Sequence, residues 1–124
     1  MTEKQIRDKM RSNLLEKAGC FDGIYGDMPN IESLKKTEWS VEFETLMRNR
    51  LVLGAVRYGT IKHGQPSKYN RIGSMLKRVG LYEKTGNQEH LVDIANICLL
   101  EFCEPNHKKA HFASVDDGDH IQLK

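Results

Sequence analysis

The sequence predicts an all-α protein, a compact helical bundle of about four helices. Three observations predict it. Apolar residues recur at three- and four-residue intervals over four separate stretches. No stretch alternates with the two-residue period of a strand. Glycine, proline and cap-forming residues punctuate the helical stretches. At 124 residues the chain has one domain's length and can bury a core without disulfides or metals. The expected organisation is a single domain over 1–124: an N-terminal helical arm (1–17), a helical core (38–103) and a polar C-terminal tail (104–124).

The first helix is expected from Thr2 to about Lys17, opened by the capping box Thr2-Glu3-Lys4-Gln5. Its apolar stripe, Ile6, Met10 and Leu14 with Leu15 beside it, is thin. Residues 18–37 read as irregular, with Gly19, Gly23, Gly26 and Pro29, and are long for a connection in a compact domain. The second helix is expected over 38–58, capped by Thr37 or Ser40. Phe43, Met47, Leu51, Gly54 and Tyr58 form one stripe, which Leu46, Val52, Leu53 and Val56 widen until little polar surface is left. So much apolar surface predicts a homodimer or higher oligomer. The third helix is expected over 68–82, with Ile72, Met75, Leu76, Val79 and Tyr82 inward. A short connection at 83–86 implies an antiparallel neighbour. The fourth helix follows from Asn87 as its cap, and Pro105 ends it.

Net charge is +2, from 19 basic and 17 acidic residues, so bulk charge does not point to nucleic acid. Three cysteines, Cys20, Cys98 and Cys103, suit a reducing compartment better than a disulfide framework. The N-terminal stretch is too charged for a signal peptide, and no apolar run approaches a membrane span. The expectation is a soluble cytoplasmic protein with no membrane partner. There is no Walker-type glycine loop, no G-x-S-x-G and no base-stacking array of aromatics.

The fourth helix is apolar almost all round, yet Glu89, Asp93 and Asn96 fall on one line of it. A carboxylate and an amide carried inward need partners, because an unpaired buried charge costs several kcal/mol. The partner is either a metal ion or an arginine. Glu89 and Asp93, one turn apart, can converge on a hard cation such as magnesium, with Asn96 orienting a ligand. Glu38 and Glu42 open the second helix at i and i+4, and Glu42 lies deeper, so Glu42 joins Asp93 and Glu89 as the expected metal set. Glu89 equally suits the helix dipole, and Asp93 equally suits an ion pair.

Arg50 and Arg57 are seven apart on the second helix, and Arg71 and Arg78 are seven apart on the third. If those helices are neighbours, the four guanidinium groups can line a phosphate-binding groove, with Arg48 and Asn49 adding ligand-orienting atoms. The alternative is that they lie on the surface or pair with the acids. Cys103, His107 and His111 are spaced by four, but Pro105 interrupts them and the spacing is no standard zinc pattern. Asp116-Asp117-Gly118-Asp119 lacks the closing glutamate of a calcium loop.

The stretches Leu46-Met47-Arg48-Asn49-Arg50-Leu51-Val52-Leu53-Gly54-Ala55-Val56-Arg57-Tyr58-Gly59 and Gly86-Asn87-Gln88-Glu89-His90-Leu91-Val92-Asp93-Ile94-Ala95-Asn96 resemble small proteins of tailed bacteriophages and prophages. More remotely they resemble the all-α nucleoside triphosphate pyrophosphohydrolases of the MazG and dUTPase-like group. That resemblance implies magnesium held by acids on two helices, with Asp93 and Glu89 catalytic, and water attacking a triphosphate. The chain departs from the family's E-x-x-E and E-x-x-D: Glu89 and Asp93 are spaced by four, and the second helix has no E-x-x-E. The leading expectation is therefore a phage-type protein that hydrolyses a nucleoside triphosphate with magnesium. The alternatives are a protein that binds or sequesters a nucleotide or other phosphate-bearing small molecule without turnover, and an interaction protein that blocks a host enzyme.

Overall fold

The computed structural model describes residues 1–18, 30–65, 67–113 and 121–123. Cys20, most of the irregular 18–37 segment and the 116–119 turn lie outside them. Five helices occur among the described residues: α1 (Glu3–Ala18), α2 (Ile31–Leu34), α3 (Val41–Tyr58), α4 (Arg71–Thr85) and α5 (Glu89–Cys103). No strand occurs among them. The class is all-α, and none of these helices is long and apolar enough to cross a membrane. The chain divides into two units, 1–34 with 111–124, and 35–110.

In the first unit α1 starts where the capping box places it. Thr2 N–H donates to Gln5 Oε1 at 2.8 Å, and Gln5 N–H donates back to Thr2 Oγ1 at 3.1 Å. Surface pairs, Glu3 with Arg7 and Lys4 with Asp8, follow the i,i+4 rule. Ile6 and Met10 are exposed. The single turn of α2 falls inside the segment expected to be irregular. Asn30 caps it: Ser33 N–H donates to Asn30 Oδ1 at 3.0 Å, and Asn30 N–H donates to Ser33 Oγ at 3.0 Å.

In the second unit α5 packs against both α3 and α4. Side-chain ties set the directions. Asn96 reaches Met47, and Asp93 reaches Arg50 three residues further along α3, so α3 and α5 are antiparallel. Arg71, Met75 and Arg78 of α4 meet Glu101, Cys98 and Asp93 of α5 in reverse order, so this pair is antiparallel too. α3 and α4 therefore run the same way, and residues 59–70 carry the chain back between them.

Local chemistry sets the boundaries. Ser40 is the cap of α3, its hydroxyl accepting from Phe43 N–H at 3.0 Å, so the helix starts at 41 rather than 38. Asn70 caps α4 by accepting from Gly73 N–H at 3.0 Å. A Cβ on residue 73 would lie 2.8 Å from the Asn70 amide, which is why glycine fits there. The helix ends at Gly86, left-handed at φ 71°, whose N–H donates to Tyr82 O at 2.8 Å. α4 thus lies three residues later than expected at both ends. At α5 the Asn87 side chain accepts from Glu89 N–H at 3.1 Å, while Gln88 occupies the cap position.

Candidate functional site

The polar centre of the second unit is built on Asp93. It sits on the line of α5 that faces α3, and both of its oxygens are engaged. Arg50 Nε donates to Oδ1 at 3.2 Å and Arg50 Nη2 to Oδ2 at 3.3 Å, the two-pronged geometry a guanidinium favours. Arg78 Nε lies 3.7 Å from Oδ2, from the α4 side. Glu89, one turn earlier, takes a second ion pair from Arg50 Nη2 at 2.8 Å. Arg78 also donates to Ser74 O at 3.1 Å. The result is a chain Glu89–Arg50–Asp93–Arg78 that links all three helices.

Asn96 lies one turn beyond Asp93 and is one of two residues that are buried outright among those described, with Val92. Its Nδ2 donates to Met47 O at 2.9 Å, whereas its Oδ1 is buried with no hydrogen-bond partner.

Beside this chain lies a cleft of about 150 Å³ lined by Lys77, Arg78, Leu81, His90 and Asp93. Lys77 and His90 carry positive or protonatable groups to the same opening as Arg78.

The remaining expected residues are spread out. Arg71 faces the other end of α5, bound to Glu101 Oε1 at 3.0 Å and to Glu104 O at 2.7 Å. Arg57 is exposed, its guanidinium carbon 5.9 Å from the centre of the Tyr58 ring. Arg48 pairs with Glu44 at 2.6 Å, and Asn49 and Glu42 are exposed. The four arginines therefore do not line one groove. Among the described residues no group of three or more His, Cys, Asp and Glu side chains converges to hold a metal ion. Where Asp93 stands, a magnesium ion needs Arg50 and Arg78 to let go of it.

A second polar cluster, which sequence spacing did not single out, joins the 59–70 connection to the end of α5. Glu104 takes His63 Nδ1 at 2.7 Å and Gly64 N–H at 3.1 Å, and Asn106 N–H donates to Glu101 Oε2 at 2.8 Å. Burial opposes the Glu101 charge, but the Asn106 N–H and the Arg71 guanidinium outweigh it and hold the carboxyl below the usual carboxylate range. The His63 ring and the Gly64 N–H do the same for Glu104. For acids with lowered folded values, the stabilisation is complete above the unfolded value of about 4.3. It is lost as the pH falls through the folded values beneath it. Protection factors against amide exchange at residues 64, 65, 67, 104 and 106 are expected to fall below about pH 4. Glu101→Gln should bring much of that loss of protection to neutral pH.

A third cluster places Tyr58 and Tyr69 edge to face at 5.6 Å, flanked by Arg57 and by Lys68, whose Nζ is 5.4 Å from the Tyr69 ring. The sequence signal was the pair of cation–aromatic dipeptides, Arg57-Tyr58 and Lys68-Tyr69.

No protein-family model, curated protein or solved structure matches the chain.

What else the second unit offers is apolar surface. Val92, at 4% exposure, is the one apolar residue buried outright among those described. Leu46, Leu53 and Val56 on α3, Ile72, Leu76 and Val79 on α4, and Leu99 and Phe102 on α5 are all exposed, Val56 at 82% and Phe102 at 73%.

Proposed function

We propose that this chain works by binding protein surface, with the α3–α5 layer completing its hydrophobic core against another polypeptide. The exposed apolar side chains along all three helices carry this reading. At least eight large apolar side chains of this three-helix unit stand exposed, and large exposed apolar surfaces mark sites of association. The ion pairs support it, because Asp93 and Glu89 are occupied and three of the four arginines, Arg50, Arg71 and Arg78, join the helices to one another. Sedimentation velocity and binding of an apolar-sensitive dye test it. The expected result is assembly above the 14.2 kDa of one chain, or strong dye binding by the free chain. A monomer that unfolds cooperatively and binds no dye overturns it.

A second reading is favoured by the cleft at Lys77, Arg78 and His90: a site for a phosphate-bearing small molecule, a nucleotide in the form the remote pyrophosphohydrolase resemblance implies. Thermal stabilisation by inorganic phosphate or nucleotides, lost in Lys77→Ala and independent of magnesium, is its expected signature. Release of pyrophosphate that requires magnesium and Asp93 would instead favour the hydrolase, with Arg50 and Arg78 surrendering the carboxylate to the metal.

A further inference from the structure

We infer that two copies of this chain pair through α3, antiparallel, along the stripe Leu46, Asn49, Leu53 and Val56. The inference rests on the association reading above and names its partner. At 100° per residue the side of α3 that faces α5 runs through Phe43, Met47, Arg50 and Gly54, all half-buried. About 110° round the helix lies a second stripe, Glu42, Leu46, Asn49, Leu53 and Val56, and every one of these side chains is exposed. Its spacing of four, three, four and three is the repeat with which one helix meets another along its length.

Charge identifies the occupant. Glu42 stands at the start of the stripe, and Arg57 stands beside its end. Neither makes an ion pair among the described residues. Leu46 lies four residues in from Glu42, and Leu53 four residues in from Arg57. The pairs Glu42 with Arg57 and Leu46 with Leu53 are both centred between residues 49 and 50, so one antiparallel two-fold axis there matches both. Antiparallel pairing brings Glu42 of one copy to Arg57 of the other, twice, and sets Leu46 against Leu53. Parallel pairing would oppose like charges at both ends. A two-fold contact requires this reciprocity, each residue meeting the one that meets it. The two Asn49 side chains then face each other near the axis, where their amides satisfy one another and fix the register. Arg50 stays on Asp93 throughout, because it lies on the face toward α5.

The test is sedimentation velocity of the full chain over a dilution series, under reducing conditions because Cys98 and Cys103 are exposed. The wild type is expected to dimerise. Leu53→Glu is expected to be monomeric with unchanged helix content. Glu42→Arg and Arg57→Glu should each weaken the dimer about tenfold, and the double exchange Glu42→Arg with Arg57→Glu should restore it. Both charge positions are exposed, so these variants read association rather than folding. Failure of the double exchange to restore the dimer overturns the antiparallel pairing. A dimer that ignores Leu53→Glu but dissolves in Leu76→Glu or Phe102→Glu overturns the α3 pairing and leaves the association reading standing. So does a wild-type monomer that binds apolar dye. A monomer that binds none overturns both.

Discussion

Asn96→Asp is expected to destabilise the protein by about 2–4 kcal/mol at neutral pH. The side chain is 7% exposed, and its amide nitrogen donates to Met47 O. A carboxylate there would set two acceptors against each other and bring a charge where water cannot reach it. Burial raises the folded value of such an acid above its unfolded one. The variant therefore approaches wild type near pH 4, and its deficit grows as the pH rises from there toward the raised folded value. Urea unfolding of both proteins at pH 4 and pH 7 measures it. Asn96→Leu is expected to cost far less. Met47 O lies within α3, where the helix supplies its own donor, and the unpartnered Asn96 Oδ1 disappears. A large loss in Asn96→Leu would mean that the Met47 contact is worth more than one neutral hydrogen bond.

Asp93→Ala is expected to cost about 2 kcal/mol, and Asp93→Asn about 1 kcal/mol, because asparagine keeps an acceptor for one guanidinium. The figures are set below those of a fully buried pair because Arg50 and Arg78 are partly open to solvent. Arg50 retains Glu89, which softens the loss further. Thermal or urea unfolding of the two variants checks the order. If Asp93 instead serves a metal, Asp93→Asn should abolish magnesium-dependent turnover and leave stability nearly unchanged. The two readings of this residue separate on one pair of proteins.

The helices themselves were legible because helix signals are local. Thr2 and Gln5, Ser40, Asn70 and Gly86 act on backbone groups within a few residues of themselves. Apolar periodicity alone places the third helix three residues early, because it carries no information about the cap. Asn70 takes Gly73 N–H and so starts the helix later, and Gly86 lets it run to 85. The turn at 31–34 carries no periodic signal: it rests on a single reciprocal pair, Asn30 with Ser33, beside a glycine-containing stretch.

The arginine rows show where sequence spacing stops. Arg50 and Arg57 do share a side of α3, and Arg71 and Arg78 share a side of α4. The antiparallel register that sets Met47 against Asn96 and Arg50 against Asp93 puts Arg57 level with residue 86, before α5 begins at Glu89. Arg57 therefore has no helix to face, and it lies over Tyr58. On α4 a separate antiparallel register gives Arg78 to Asp93 and Arg71 to Glu101, some two turns away.

By itself, then, the sequence determined the class, the four main helices and the presence of acids, an amide and arginines on nearly apolar surfaces. These follow from periods and caps a few residues long. Only the tertiary structure decided that Asp93 meets two guanidiniums, that Arg71 serves Glu101, and that apolar stripes on all three helices are left uncovered. Those outcomes depend on which helices lie side by side and at what axial offset, and a shift of one turn exchanges every partner.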